Sequence, residues 1–466
     1  MDYWELRQIV KNIIPRRALL EDLEKQSLVK EKGRKVNYRQ FDLEKGEMIP
    51  IQRLLNKDEI TSFLEVSLRA AHCPMPLNCD VWDAVRCEFA CRYCFADSFR
   101  ASLYTSFFDN SKTLGLRYCR PEYFKTELDK YMKARGKSPE GNEITRAIAM
   151  EVPIRLGIRF EDFIRAEAKK GVSLELLRYL KEQAYPTMIN TKSDLIGRED
   201  YVKVLSENKG RAAVHITAIS SDSVFNKKME PGAPSFEKRM EAAKALTDAG
   251  VRVIGRIEPF MIFMNDNYDD VLNWIEQMVR SGVRNVTLDT YSWSAGGEGI
   301  GRQLQVIGWD FERMFTLMSE AQWLGSLLLS KFMTFLREFG MSCSTFDFGS
   351  ATENDDSICC EVGDAFKGFS YGNSIMALRY IVQQAGKPVT WEDYENHVET
   401  HGGWLSDAIR ADVFGSWNLS GNAAYFLDWG RGLERFGVDE KGRQVWVFNR
   451  SHDFREEMLK ELVKKI

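Results

Sequence analysis

The stretch Cys87-Glu-Phe-Ala-Cys91-Arg-Tyr93-Cys94 crowds three thiols into eight residues, as a C-x3-C-x2-C run with an aromatic directly before the last cysteine. Three thiolates this close can hold three irons of a [4Fe–4S] cube, whose usual ligand set is four cysteines. One iron is then left open to a ligand that is not protein. A zinc site or three unrelated cysteines are the competing readings, but zinc sites usually draw four ligands from two separated pairs. No second pair of matching spacing follows in the sequence. The run is therefore read as a cluster loop.

The rest of the composition is that of an ordinary globular chain. It has 466 residues, 44% hydrophobic and 28% charged, enough for a large core with additions. The net charge of −4 provides no overall basic field for nucleic acid. The start, Met1-Asp-Tyr-Trp-Glu, is charged and mixed rather than a signal-peptide apolar run, and no stretch is long enough to span a bilayer. Nine cysteines, an odd number, do not read as a disulfide framework. A reducing cytoplasm is the expected location.

Outward from the cysteines, the chain divides into three. Residues 1–77 read as a helical extension, with helical periodicity over Trp4–Ile14 and Asp58–Ala71. Asn78–Val85 reads as the strand that delivers the cysteine loop. Residues 100–150 form a polar insert with a loop at 133–141. Strands and helices then alternate. Strands are expected at Val152–Ile158, Pro186–Thr191, Ala213–Ile219, Val251–Pro259 and Val286–Tyr291. Helices are expected at Leu174–Gln183, Asp200–Ser206, Ser235–Ala249 and Tyr268–Ser281. Such alternation implies right-handed βαβ units and a parallel sheet. Six units over 78–305 predict an α/β fold, a partial (β/α)6 TIM-like barrel with its active residues at the carboxyl ends of the strands. Residues 306–466 read as a mainly helical substrate-shaping or capping region. It includes a helical run over Phe311–Phe339, a hairpin over Gly437–Phe448 and a charged helix at His452–Lys465.

The cysteine run and the order of marks after it resemble the radical S-adenosylmethionine (SAM) superfamily, in its spore photoproduct lyase-like branch. Arg159-Phe-Glu161-Asp162 to Glu167 is similar to that family's Ser-Asp-x4-Glu segment. Thr191-Lys192-Ser193 is similar to its Thr-Lys-Ser, and Val214-His215-Ile216-Thr217 to its fourth-strand segment. Glu230-Pro-Gly-Ala-Pro-Ser with Arg239 resembles its strand-to-helix linker, and Ala249-Gly-Val-Arg-Val through Glu258-Pro259 its fifth strand. The likeness extends from about Asp80 to Tyr291, under half of the chain. It implies a [4Fe–4S] cluster on Cys87, Cys91 and Cys94, with SAM on the open iron. It also implies a reducing donor such as flavodoxin or ferredoxin, and cleavage of SAM to a hydrogen-abstracting 5′-deoxyadenosyl radical. The sequence departs from the lyases at their hydrogen-donating cysteine, where Arg159 stands. It departs again at their serine, here Glu161, and at the tyrosine after the last cluster cysteine, here Phe95. Only Tyr93 matches.

Several residues then carry candidate roles, each beside a plainer one. Lys192, at a strand end, suits the SAM carboxylate or a solvated surface. His215 and Thr217 share a strand face, suiting hydrogen bonds to SAM or a buried structural role. Arg256 and Glu258 share the next strand's face, as a cavity-lining pair or a structural salt bridge. Glu161 and Asp162 suit the SAM amino group, and Asp162 equally a helix cap. Tyr93 joins the cofactor set. Arg159, Asp289, Tyr291 and Trp293 are the substrate-side candidates, the last three alternating along the final strand or forming core. The glycine-rich loop 294–301 is a phosphate cradle or a plain connection. Cys73, Cys79, Cys119, Cys343, Cys359 and Cys360 read as an auxiliary cluster, a hydrogen donor or buried thiols.

The leading expectation is a radical SAM enzyme acting on a nucleoside-, base- or sugar-like molecule. A DNA lesion lyase and a peptide-modifying enzyme are the alternatives. A nucleic-acid partner is not favoured, and no membrane is expected.

Overall fold

The computed structural model describes residues 1–14, 63–66, 75, 77–83, 87–94, 116–137, 141–158, 160–208, 210–291, 304–305, 307–320, 322–345, 360–362, 366, 388–390, 392–393, 396, 433–438, 440 and 444–448. The strands are β1 (Leu64–Val66), β2 (Leu77–Cys79), β3 (Trp82–Asp83), β4 (Arg117–Tyr118), β5 (Ile154–Leu156), β6 (Thr187–Thr191), β7 (Ala212–Thr217), β8 (Arg252–Phe260), β9 (Asn285–Thr290), β10 (Ser342–Thr345), β11 (Leu433–Val438) and β12 (Gln444–Phe448). The helices are α1 (Tyr3–Ile13), α2 (Pro121–Met132), α3 (Glu143–Ala149), α4 (Glu167–Lys170), α5 (Val172–Glu182), α6 (Glu199–Ser206), α7 (Ser223–Met229), α8 (Phe236–Asp248), α9 (Tyr268–Arg280), α10 (Phe311–Glu320) and α11 (Gln322–Glu338).

The main sheet runs β1-β2-β5-β6-β7-β8-β9-β10. Every pairing from β2 to β10 is parallel, and β1 lies antiparallel on β2. A strand order that never reverses puts each right-handed crossover on the same face, so helices cover one face and the sheet curls around the other. This is the partial TIM-like α/β barrel expected from the alternation. Local chemistry starts and stops the crossovers. The Asn267 side chain accepts from the backbone N–H of Asp269 and Asp270 to open α9. Gly282, at φ +79°, follows its end in the left-handed conformation that glycine adopts at least cost.

The register separates the sheet's two faces. Leu77, Ile154, Leu156, Ile189, Val214, Ile216, Val253, Ile257, Val286, Leu288 and Cys343 belong to the hydrophobic core shared with the helices. A Cβ on Gly255 would lie 3.3 Å from Trp274 and 3.2 Å from Met278, so glycine lets α9 pack directly on β8. The alternate residues face inward in rows set by the pairing. One row is Asn78, Arg155, Met188, Ala213 and Arg252; the next is Asn190, His215, Ile254, Asn285 and Ser342; the third is Thr217, Arg256, Thr287 and Ser344. The inner face is thus largely polar, although most of these side chains are buried.

Four expectations change. The helix over Asp58–Ala71 is a strand at Leu64–Val66, because β2 has a free edge whose backbone groups β1 satisfies. The strand expected over Asn78–Val85 is split. Only β2 enters the sheet, and β3 turns away to pair with β4. The polar insert contains two helices, α2 and α3, flanking the expected loop. The sheet also gains β10, beyond the last strand the alternation predicts, paired parallel to β9. The helical run after residue 311 is present as α10 and α11, and the hairpin as β11 and β12. The charged helix at His452–Lys465 lies outside the described residues. Among the described residues, no helix is long and apolar enough to cross a membrane.

Candidate active site

The cysteine loop sits over the carboxyl ends of β6 and β7, held there by backbone bonds. Two turns shape it, with Ala90 N–H donating to the Cys87 carbonyl (3.1 Å) and Cys94 N–H to that of Cys91 (3.2 Å). Arg92 N–H donates to the Met229 carbonyl (2.8 Å), and Gly232 N–H to the Phe89 carbonyl (3.0 Å). Gly232 has no room for a side chain: a Cβ would lie 2.0 Å from the Glu88 carbonyl oxygen. The segment after α7 therefore presses backbone against backbone on the loop.

A buried ion pair reinforces this contact. Arg239 and Glu230 face each other with side chains 1% and 0% exposed. Arg239 also donates to the carbonyls of Thr217 and Pro234, each at 3.0 Å. The second Glu230 oxygen accepts from the Tyr93 hydroxyl. Burial and the facing Glu230 push the Tyr93 phenol well up, so it stays a donor. Burying a charged pair is costly unless its remaining hydrogen bonds are made, and here they tie the loop to β7 and α8.

Lys192 follows β6 directly, with its ammonium 5.5 Å from the centre of the Tyr93 ring. Burial opposes its charge, but Cys91 and Glu230 outweigh burial and hold the ammonium above its ordinary range. Glu161 shapes the strand end, accepting from the Thr191 hydroxyl (2.6 Å), Lys192 N–H (2.9 Å) and Phe163 N–H (3.2 Å). Burial nevertheless raises its carboxyl's pKa.

Deeper in the barrel, polar groups outnumber their partners. Arg155 donates twice to Asn78 (3.0 and 2.9 Å), and Arg256 pairs with Glu258. Asn190 and His215 are opposed by register on β6 and β7 and are 5% and 2% exposed. Neither the Asn190 amide oxygen and nitrogen nor the His215 ring nitrogens have a hydrogen-bond partner among the described residues, and the same holds for the Ser344 hydroxyl. Each such buried orphan costs about 1–3 kcal/mol. Burial, with Arg256 and Arg155 adding, pushes the imidazole well below its usual range; the backbone of Cys360 opposes this without closing a standard hydrogen bond.

The donor set fits the cluster reading. Among the described residues no three His, Cys, Asp or Glu groups converge as a site for one metal ion. A cubane needs no such convergence, because each thiolate binds a different iron. All three thiols are partly exposed on a loop whose backbone is fixed from beneath.

The expected residues fall into distinct places. Cys87, Cys91, Cys94, Tyr93 and Lys192 come together at the mouth. Thr217 and Arg256 are register neighbours on the inner face. The charge of Asp289 acts on Arg256. Asp162 neither caps a helix nor reaches the loop. Its carboxylate accepts from Val81, Trp82 and Gly157 N–H and ties the cysteine-bearing segment to β5. Tyr291 lies beyond the end of β9, so strand alternation no longer sets its direction. It is buried edge-on against Trp309 in the core. Arg159, Trp293, Cys73, Cys359 and the glycine-rich loop 294–301 lie outside the described residues. Cys79, Cys119, Cys343 and Cys360 are buried thiols; burial raises the Cys79 pKa, and Cys119 lies close enough to add to this. From the late region, Glu361 accepts from Ser342 (2.7 Å) and Asn285 (2.9 Å), the first residues of β10 and β9. Glu361 thus sits at the amino end of the strands, while its neighbour Cys360 acts on His215 and Arg256 on the inner face.

The sequence showed Glu230, Gly232 and Arg239 only as parts of a linker, and Asn190 without any role. A polar residue in an apolar strand was the one available signal for Asn190.

No protein-family model matches the sequence, and no curated protein does. Among solved structures, the chain is similar to spore photoproduct lyase complexed with dinucleoside spore photoproduct. That match has 12% identity over 61% of this chain and 78% of that one, with a TM-score of 0.42. A variant of that lyase with bound AdoMet and the same photoproduct matches at 11% identity, over 65% and 86%, with a TM-score of 0.43. Streptococcus suis SuiB bound to S-adenosylmethionine matches at 14% identity, over 59% and 51%, with a TM-score of 0.37. The chain thus spans about half of SuiB. The fold class rests on the strand order and register rather than on these distant likenesses.

Proposed function

We propose that this chain is a radical SAM enzyme that abstracts hydrogen from a small organic substrate of nucleoside-, base- or sugar-like chemistry. The observation that carries the reading is the position of the C-x3-C-x2-C loop: over the carboxyl ends of parallel strands, beside Lys192, above a buried polar interior. Cys87, Cys91 and Cys94 would hold a [4Fe–4S] cluster. With SAM on its open iron, the cluster supplies one-electron cleavage of SAM and hence hydrogen abstraction.

The chain's own groups provide the setting. Lys192 places a positive charge at the mouth, suited to a carboxylate. Tyr93, Glu230 and Arg239 keep the loop's backbone in one position, so the thiols are held before the cluster binds. The inner face offers hydrogen bonds while excluding bulk water, which limits side reactions. A reducing partner of the flavodoxin or ferredoxin type would deliver the electron.

Anaerobic reconstitution with iron and sulfide tests the reading. Wild-type protein is expected to bind four irons per chain, turn brown and cleave SAM under reduction. The variant with all three cysteines replaced by alanine should lose iron and cleavage together. Full iron retention in that variant would refute the assignment.

A further inference from the structure

We propose that the exposed stripe of α7, Val224, Lys227 and Lys228, together with Arg92 of the cysteine loop, is the docking surface for an acidic one-electron carrier protein. The inference rests on the enzyme reading above and names where its electron enters. Residues 224, 227 and 228 are spaced i, i+3, i+4, so they share one helix face. That face is open to solvent. Val224 is 63% exposed and both lysines are exposed, whereas Asn226 and Met229 are buried. The helix leads directly to the cysteines. Its last residue, Met229, accepts from Arg92 N–H (2.8 Å), and Arg92 lies between Cys91 and Cys94 with its side chain exposed. A protein seated on this stripe is separated from the thiols by the loop alone, and electron transfer weakens steeply with distance.

The charge on this surface has one sign. Among the described residues, no ion pair engages Lys227, Lys228 or Arg92, nor Arg165, which is exposed on the loop's other flank. The nearby carboxylates are engaged. Asp222 accepts from Val224 and Phe225 N–H at the far end of α7, Glu88 accepts from Arg165 N–H, and Glu230 is buried against Arg239. A cationic patch on a chain of net charge −4 is therefore a local feature. It complements an acidic partner and steers its approach, while Val224 provides apolar contact. A surface this small suits the brief encounters of electron carriers. Nucleic acid fits less well, because it is held by extended rows of cations, and here a valine stands in line with two lysines. At docking the carrier is oxidised by one electron and the cluster is reduced by one; no atom is transferred.

The test uses reconstituted full-length protein and a purified flavodoxin, read first by anaerobic calorimetric titration. Wild type should bind the flavodoxin, and binding should weaken as salt rises from about 0.05 M to about 0.5 M. The double variant Lys227→Glu, Lys228→Glu should bind it roughly tenfold more weakly or worse, with iron content and SAM affinity unchanged. The double variant Lys227→Arg, Lys228→Arg should bind as wild type does. Formation of 5′-deoxyadenosine gives the second reading. The charge-reversed variant should lose the flavodoxin-driven rate but keep the rate with dithionite, a small reductant that needs no docking surface. The proposal fails if dithionite drives cleavage in wild type but flavodoxin neither binds nor drives it, or if the charge-reversed variant behaves as wild type with flavodoxin. It fails too if the dithionite rate falls equally, since α7 would then only support the loop. Weakened binding of a DNA duplex, with flavodoxin binding intact, would overturn it in favour of a nucleic-acid surface. No dithionite-driven cleavage in wild type would instead strike the enzyme reading.

Discussion

Replacing Gly232 by alanine isolates what the loop support does. The added Cβ would meet the Glu88 carbonyl oxygen at 2.0 Å and the Phe89 Cα at 2.9 Å. Both are backbone atoms, so no side chain can swing aside. Opening the closer contact to an ordinary 3.4 Å separates the two segments by about 1.4 Å. The Gly232 N–H bond to Phe89, now 3.0 Å, then stretches past any useful length, and the neighbouring Arg92 N–H bond to Met229 is strained with it. Two backbone bonds at about 0.5–1.5 kcal/mol each give a local loss of about 1–3 kcal/mol. The sheet and helices do not share this contact, so the far-ultraviolet circular dichroism should remain that of wild type. The consequence should fall on the loop. After anaerobic reconstitution, the Gly232→Ala variant should hold less iron, and its remaining cluster should be lost faster to a chelator. If the variant fills with iron as wild type does and releases it at the same rate, the backbone clamp does not set the thiol geometry.

Three further outcomes follow from the same contacts. Lys192→Ala should weaken SAM binding roughly tenfold to hundredfold, as expected when a charge-assisted contact worth about 1.5–3 kcal/mol is lost, while iron content stays unchanged; an unchanged SAM dissociation constant would remove Lys192 from the site. Arg239→Met strands the buried Glu230 carboxylate and should cost about 3–5 kcal/mol in urea unfolding. The double variant Glu230→Gln, Arg239→Met should recover much of that, and equal losses in the two would contradict the pairing. Folded His215 stays neutral while the unfolded chain takes up a proton below about pH 6.5. The unfolded state then binds more protons, so stability should fall as pH drops below that value, by up to about 1.4 kcal/mol per unit. His215→Gln should remove this component from the difference between pH 7.5 and pH 5.5, and identical pH slopes would refute it.

The sequence by itself determined the crossover units. In β6 to β9 and their helices, period-2 and period-3.6 patterns lie between clear caps and glycines, and these are local signals the chain carries wherever it packs. The cysteine loop was equally legible, because ligand spacing within eight residues is a property of the chain alone. Tertiary structure decided the rest. Leu64–Val66 has an apolar pattern compatible with helix, and only the open edge of β2 makes it a strand. Ser342–Thr345 carries no strand expectation of its own, and becomes a strand only because β9 offers a parallel partner. The pairing of Glu230 with Arg239 and Tyr93 spans separate segments, and no local pattern foretells which buried charge meets which. Asn190 and His215 stand 25 positions apart, and strand register alone makes them neighbours. Burial then removes the water that would have satisfied them, which is why their significance appears only in the folded chain.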